Sequence, residues 1–168
     1  HEVFGHGYRY REFEYEENSY QVNIGFLGSG LAVPGNPTRS IGIDEVTTSY
    51  FGGSEANTVF ANTIRENWLT NRKITYDQIL LYGATRLDVT VYILLTNYAD
   101  EPGDIVNYVR LINSRFFDEN DLTSKELANY TLINLLDPYS YIAGIAYLKY
   151  LINAEEEMTL PTLHLGNI

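Results

Sequence analysis

The spacing of apolar and polar residues predicts a mainly α-helical chain with a short β and loop region near its start. Residues 19–26 alternate as a strand does, whereas residues 54–154 repeat apolar side chains largely at helical spacing. Residues 28–40 contain three glycines and two prolines and are predicted as a loop. A short strand or extended segment is expected at residues 40–46.

Local start and stop signals give the expected helix boundaries. The signals are Ser54 as an N-cap, the capping boxes Thr75/Gln78 and Thr123/Glu126, Pro102 in a first turn, and Asp137 as an N-cap before Pro138. The predicted helices are residues 1–14, 55–71, 75–97, 102–117, 123–137 and 139–154. The expected fold is α+β, mainly α, with about five or six helices. It forms a single domain over residues 1–168, in which 1–50 hold a motif helix and the β and loop region, and 54–154 form the helical core.

Two apolar stretches raise the question of a membrane span. Residues 79–95 carry Arg86 and Asp88 near their centre, and such charges are costly in lipid. Residues 127–152 are divided by Asp137 and Pro138 into two shorter helices. We predict both stretches to be buried core helices, and membrane association is the alternative.

Composition narrows the possible chemistry. The net charge of −11 argues against nucleic acid as a partner, because such binding needs clustered Lys and Arg. The chain has no cysteine, so a metal site would have to use histidine and carboxylate ligands. The composition leaves both the cell envelope and the cytoplasm open as compartments.

The sharpest chemical signal is the segment HEVFGHG, residues 1–7. In zinc hydrolases two histidines on one helix face ligate the metal and a neighbouring glutamate acts as base. His1 and His6 are five residues apart, so a regular α-helix would hold them about 140° apart around its axis. A π-bulge absorbs one extra residue, and Gly5 gives the backbone freedom to form one.

The pattern HEVFGH resembles the HExxGH motif of the dipeptidyl peptidase III family of zinc peptidases, within the gluzincin group. The resemblance covers His1–His6 and implies His1 and His6 as zinc ligands and Glu2 as the base. The family takes its third ligand from a glutamate on a later helix, and its EExxxE segment is absent here. The nearest counterpart is Glu55 in GGSEAN, with Val59 where the gluzincin group has an aspartate.

These observations lead to two functional expectations. The first is a zinc-dependent peptide hydrolase, or a segment of one, that uses His1, His6, Glu55 and Glu2. The alternative is a non-catalytic helical interaction domain with a tyrosine-rich surface, for which association with the cell envelope or a membrane stays open. Because the sequence begins with His1, we expect a processed protein, a tag remnant or a piece of a longer chain. A free amine at His1 would also permit copper chelation.

Overall fold

The computed structural model describes residues 1–23, 29–99, 103–116, 122–154 and 156–160, and these residues are mainly α-helical, as predicted. The α-helices are α1 (Gly7–Glu12), α2 (Ile43–Asn71), α3 (Tyr76–Ala99), α4 (Asp104–Phe116), α5 (Ser124–Thr131) and α6 (Pro138–Asn153). A π-helical turn (Glu2–His6) precedes α1, and a 3₁₀ turn (Leu132–Leu136) follows α5. The strands are β1 (Tyr15–Glu16), β2 (Ser19–Asn23), β3 (Ser29–Val33), β4 (Asn36–Pro37), β5 (Lys73–Thr75) and β6 (Glu157–Thr159).

The described strands pair as antiparallel two-stranded ribbons, β1 with β4, β2 with β3 and β5 with β6. The predicted strand at 19–26 is present as β2, and residues 24–28 lie outside the described residues. The loop predicted at residues 28–40 is wrong for residues 29–33 and 36–37, which form β3 and β4, and residues 34–35 and 38–40 lie outside the strands. β3 pairs with β2 along its whole length, from Ser19 opposite Val33 to Asn23 opposite Ser29. The backbone bonds of this pairing outweigh the weak intrinsic strand preference of glycine.

The extended segment predicted at residues 40–46 and the N-cap predicted at Ser54 are also wrong. α2 already begins at Ile43, and its start is held by Glu45, whose carboxylate accepts a hydrogen bond from the Gly42 N–H at 2.8 Å. The helix then continues without a break through Gly52, Gly53 and Ser54. Two helix-weakening glycines in mid-helix call for a packing reason, and the contact with the HEVFGHG turn described below provides one.

Two of the predicted helix caps are confirmed. Thr123 and Glu126 form a complete capping box at the start of α5, each side chain accepting the other residue's backbone N–H. The Asp137 side chain accepts the N–H of Tyr139 and caps α6, with Pro138 in its first turn. These caps therefore start α5 and α6 at the positions that the sequence predicts.

The other two start signals have different outcomes. The side chain of Gln78 is not available to a capping box with Thr75, because its Oε1 accepts a hydrogen bond from Trp68 Nε1 at 2.8 Å. The predicted first-turn residue Pro102 lies outside the described residues, and α4 begins two residues later at Asp104.

The chain divides into two compact units. Unit 1 comprises His1–Asn57 and Asp88–Leu132, and unit 2 comprises Thr58–Leu87 and Ile133–Ile168. The buried core of unit 1 contains Val89, Ile93, Ile105, Val109 and Ala128. The buried core of unit 2 contains Ala61, Ile64, Trp68, Ile74, Ile79, Tyr82, Ala143 and Ala146. The HEVFGHG segment lies in unit 1, which therefore carries the candidate site.

Unit 2 also contains a buried polar network. The carboxylate of Asp137, besides capping α6, accepts a hydrogen bond from the hydroxyl of Tyr82 and lies 3.1 Å from Nε of Arg86. Burial and the neighbouring carboxylate raise the pKa of Tyr82 above its usual value. Arg86, which looked costly within an apolar stretch, is thus paired inside the protein.

The two apolar stretches are less buried than predicted. α6 buries only Ala143 and Ala146, so the prediction of a buried core helix is wrong for α6. Its exposed large side chains are Tyr141, Ile145, Leu148, Leu151 and Ile152. Within the described residues, one helical segment, Tyr76–Leu95, has the length and composition that a membrane span requires, and 28% of its apolar window is buried.

Candidate metal centre

The motif HEVFGHG folds as a π-helical turn, which confirms the predicted bulge. The carbonyl of His1 accepts from the N–H of Gly5 at 2.8 Å and from that of His6 at 3.3 Å. The N–H of Gly7 bonds to the carbonyl of Glu2, again across five residues. The two i→i+5 bonds, donated by His6 and Gly7, absorb the extra residue of the motif. The two imidazole rings come together as a result, with centroids 5.1 Å apart.

Glycines let this turn lie directly against α2. A Cβ atom on Gly5 would be 2.4 Å from Cα of Gly53 and 2.5 Å from the carbonyl oxygen of Gly52. A Cβ atom on Gly53 would be 2.3 Å from Nε2 of His1. No real Cβ tolerates such distances, so only glycine permits this backbone approach. The pair Gly52–Gly53 therefore belongs to the packing of the motif and does not mark a helix start.

His6 is oriented by the backbone of α2. Its Nδ1 lies 2.7 Å from the carbonyl oxygen of Ser49, which can only accept, so Nδ1 carries the proton. Nε2 is then the free nitrogen of the neutral ring. It is fully buried and lies 3.2 Å from Oδ2 of Asp104, with which it forms an ion pair when the ring is protonated. In the neutral ring the lone pair of Nε2 faces the negatively charged carboxylate, an arrangement that is costly unless a proton or a cation lies between the two groups.

Asp104, the first residue of α4, completes a three-residue cluster with His1 and His6. One ring nitrogen from each histidine and one carboxylate oxygen lie within 4.8 Å of one another. Ligands of tetrahedral zinc at about 2.0–2.2 Å from the metal are about 3.3–3.6 Å apart, close to the His6–Asp104 separation. The donor set and the separation of His6 Nε2 from Asp104 Oδ2 therefore fit a divalent metal such as zinc.

Charge around His6 favours its interaction with cations or protons. Burial by itself lowers the pKa of His6, but the Asp104 carboxylate and the Ser49 carbonyl outweigh it, and the pKa is raised above its ordinary value. The same acidic environment that stabilises a proton also stabilises a metal ion, which must displace that proton to bind.

His1 has its own supporting groups on α2 and α3. Its Nδ1 lies 3.5 Å from Oδ2 of Asp88 and 3.1 Å from the amide nitrogen of Asn57. That amide also donates to Asp88 at 2.7 Å and so connects the two side chains. Carboxylates next to a metal-ligating histidine fix its ring orientation. Asp88, which looked costly at the centre of an apolar stretch, thus has partners within unit 1.

Glu2 lies beside the cluster and against strand β3. A Cβ atom on Gly30 would be 2.3 Å from Cγ of Glu2, so the glutamate packs directly on the backbone at Gly30. The N–H of Ala32 also hydrogen-bonds to its carboxylate. Burial and repulsion from Asp104 raise the pKa of Glu2, although His6 and the Ala32 N–H act in the opposite direction. The structure therefore places the predicted base next to both His6 and Asp104.

Tyr92 is a further group at this site. Its ring meets the His1 ring edge-on, with centroids 6.1 Å apart. Burial and the nearby carboxylate of Asp104 raise the pKa of Tyr92 to about 12, with smaller contributions from Glu2 and Asp88. The carboxylates of Asp104, Glu2 and Asp88 therefore all act electrostatically on the Tyr92 hydroxyl group.

Glu55, the third ligand predicted from the sequence, is not part of the cluster. Its carboxylate binds the guanidinium of Arg9, with Oε2 2.5 Å from Nη2 and 3.1 Å from Nε. Arg9 also pairs with Glu12. The structure thus brings together His1, Glu2 and His6 as predicted neighbours, and supplies Asp104 where the sequence indicated Glu55.

Sequence reasoning missed Asp104, Asp88 and Tyr92 as site residues. Asp104 looks like an ordinary acidic residue in the first turn of a helix. Asp88 did carry a signal, because a charge inside an apolar helix needs an internal partner.

Comparisons of the chain with protein-family models, with curated proteins and with solved structures find no match, so the chemistry of this cluster has to follow from its own residues.

Proposed function

We propose that this chain is a zinc-dependent peptide hydrolase, or a segment of one, with zinc held by His1, His6 and Asp104. The observation that carries the proposal is the buried Nε2 of His6 facing the Asp104 carboxylate at 3.2 Å, with a ring nitrogen of His1 in the same cluster. The resemblance of HEVFGH to the HExxGH motif of zinc peptidases supports the same metal. A glutamate directly after the first histidine supports hydrolysis over a purely structural site.

The chemistry assigned to Glu2 is proton transfer. Bound zinc would supply Lewis acidity, which acidifies water and polarises a carbonyl group. Glu2 takes a proton from water while the water oxygen bonds to the carbonyl carbon and the π electrons move to the carbonyl oxygen. When the C–N bond then breaks, the electron pair leaves with nitrogen, and Glu2 returns the proton to that nitrogen. Gly30 and the Ala32 N–H hold the Glu2 carboxylate in place for both transfers.

Metal content is the first test. Protein prepared without a histidine tag should bind one zinc ion per chain, as measured by elemental analysis and calorimetric titration. A zinc content well below one per chain after reconstitution contradicts the proposal. Stoichiometric iron also contradicts it, because two histidines and one carboxylate are equally typical of non-haem iron sites.

Replacing Glu2 with Gln tests hydrolysis separately from metal binding. We expect turnover of fluorescence-quenched peptides to fall by about 100-fold or more, because the amide cannot accept the proton from water. Zinc affinity should stay close to that of the wild type, since Glu2 is not a proposed ligand. Equal turnover by the Glu2→Gln variant and the wild type would remove Glu2 from the mechanism.

Membrane association is a second candidate function, favoured by the surface of α6. Its large apolar side chains are mostly exposed, and Lys149 is its only charged residue. A helix that is apolar on nearly all sides usually lies in a protein core or in lipid. The candidate membrane span Tyr76–Leu95 also supports membrane association.

Vesicle flotation tests this second candidate. Neutral phosphatidylcholine vesicles avoid repulsion of the acidic chain, and the wild type should float with them. A double variant, Ile145→Asp with Leu148→Asp, should reduce binding by about tenfold or more, because each side chain contributes apolar transfer energy. The matched control Val59→Asp changes an equally exposed apolar residue on α2 and should float normally. Wild-type protein that stays at the bottom of the gradient would exclude membrane association.

A further inference from the structure

A groove in unit 1 lies between helices α2 and α4. Oδ1 of Asp44 on α2 lies 3.1 Å from Nε of Arg115 on α4. The ring of Phe51 on α2 packs against that of Tyr108 on α4, with centroids 5.1 Å apart. Because the second pair comes later on α2 but earlier on α4, the two helices run antiparallel along the groove. Its volume is about 350 Å³, within the range of about 300–1,000 Å³ that is usual for ligand pockets.

The groove leads away from the proposed zinc ligands. The side chains of α4 that line it follow Asp104 at intervals of four, four and three residues, and they are Tyr108, Ile112 and Arg115. This spacing puts them on the same face of the helix as Asp104. Arg9 of α1, which also lines the groove, follows His6 by three residues. The groove therefore begins about one helical turn from two of the proposed ligands.

The middle of the groove offers apolar surface to a ligand. The hydroxyls of Thr47 and Thr48 donate to backbone carbonyls one turn earlier on α2, at 2.7 and 2.8 Å. Their hydrogen-bonding capacity is thus used inside the helix. Beside these residues lie the rings of Phe51, Tyr108 and Phe116, and Phe116 is mostly exposed, so the groove opens to solvent.

The charged side chains on the groove lining are paired with one another. Nη2 of Arg9 lies 2.5 Å from Oε2 of Glu55. Arg115 is paired with Asp44 in the same way. Two cations and two anions leave the lining without net charge. A charged ligand would have to break one of these pairs, whereas a neutral apolar group would not, so the lining selects for an apolar ligand.

We propose that this groove is a specificity subsite of the proposed hydrolase and binds a large apolar side chain of the peptide substrate, with an aromatic ring fitting best. This inference rests on the proposed function, and the continuity of the groove with Asp104 identifies the substrate as its occupant. The rings of Phe51 and Tyr108 favour an aromatic guest through ring stacking. One helical turn advances about 5.4 Å and an extended peptide about 3.3 Å per residue, so the bound side chain lies within about two residues of the cleaved bond.

Cleavage of matched quenched peptides tests the subsite. The peptides differ only in Phe against Ala, placed in turn at two positions on each side of the cleaved bond. We expect kcat/KM to be about 10- to 100-fold higher with Phe at one of these positions, because the buried ring gains apolar transfer energy. Thr48→Trp fills the groove and should bring that ratio close to one, with zinc affinity at the wild-type value. The control Val59→Trp adds the same ring at an exposed position of α2 that does not line the groove, and should keep the ratio.

A second measurement does not depend on turnover. Zinc-loaded protein labelled with ¹⁵N is titrated with N-acetyl-phenylalanine amide and, separately, with N-acetyl-alanine amide. The backbone amide signals of Thr47, Thr48 and Ile112, which line the groove, should shift with the phenylalanine compound and much less with the alanine compound.

The outcomes separate this inference from the proposed function. If the wild type hydrolyses the peptides without preferring Phe and the groove signals do not shift, the subsite is overturned and the proposed function stands. A preference for Phe that persists in Thr48→Trp also overturns the subsite, because the preference then arises elsewhere. If the groove signals shift but the zinc-loaded wild type hydrolyses no peptide, the proposed function fails, and the groove binds apolar side chains without being a substrate subsite. With neither hydrolysis nor a shift, both fail.

Discussion

Replacing Asp104 with Asn should lower zinc affinity by about 100- to 1,000-fold, because a structural zinc site shares about 10–16 kcal/mol among three or four ligands. Asn keeps the shape of the side chain and removes the charge that faces His6. Calorimetric titration and competition with a chromogenic chelator both measure this loss. His6→Ala should cause a loss of the same order.

The matched control is Glu55→Gln, which tests the ligand predicted from sequence. Glu55 is bonded to Arg9, so this variant should bind zinc like the wild type. The opposite pattern, with Glu55→Gln defective and Asp104→Asn normal, would restore the gluzincin arrangement and contradict the cluster. Far-UV circular dichroism of both variants shows whether any loss of affinity comes from unfolding.

The fold was predictable where the deciding interactions are local. Thr123 and Glu126 lie within one turn, and Asp137 precedes Pro138, so both helix starts can be derived from adjacent residues. The β2–β3 pairing was missed because it joins two separate segments of the chain, and the glycine content of the second segment favoured a loop. A ladder of backbone hydrogen bonds is a non-local interaction that local propensity does not report.

The same difference between local and non-local interactions decides how much of the candidate site was predictable. One turn contains His1, Glu2 and His6. The five-residue separation of the two histidines predicted the π-helical geometry that the structure has. Asp104 approaches from a different helix, and nothing in its local sequence distinguishes it from a residue that favours a helix N-terminus. The residue spacing within the motif therefore predicted the geometry of the turn. The position of Asp104 on α4 depends on tertiary packing, which the local sequence does not report.

The glycines show how a correct local rule can lead to a wrong prediction. Gly52 and Gly53 weaken a helix, and on that ground the sequence predicted a helix start at Ser54. The structure keeps them inside α2 because the motif turn approaches its backbone there. The intrinsic cost of glycine is thus offset by a contact that no larger residue allows.

That contact gives the second large prediction. Gly5→Ala should lower the free energy of unfolding by about 2 to 3 kcal/mol, because the new methyl group overlaps backbone atoms of Gly52 and Gly53 that cannot rotate away. Alanine is intrinsically favoured over glycine in a helix by about 1 kcal/mol. Helix propensity alone would therefore raise the free energy of unfolding, so a net decrease has to come from the steric overlap. Urea denaturation followed by circular dichroism measures it.

The control is Gly83→Ala on α3, where an added Cβ meets no heavy atom within 4 Å. That variant should gain about 0.5 to 1 kcal/mol, because alanine restricts the unfolded chain and favours the helix. Gly5→Ala should also weaken zinc binding, since separating the turn from α2 moves His6 away from the Ser49 carbonyl that orients it. If Gly5→Ala is as stable as Gly83→Ala and binds zinc normally, the motif does not lie against α2, and the metal centre built on that contact is wrong.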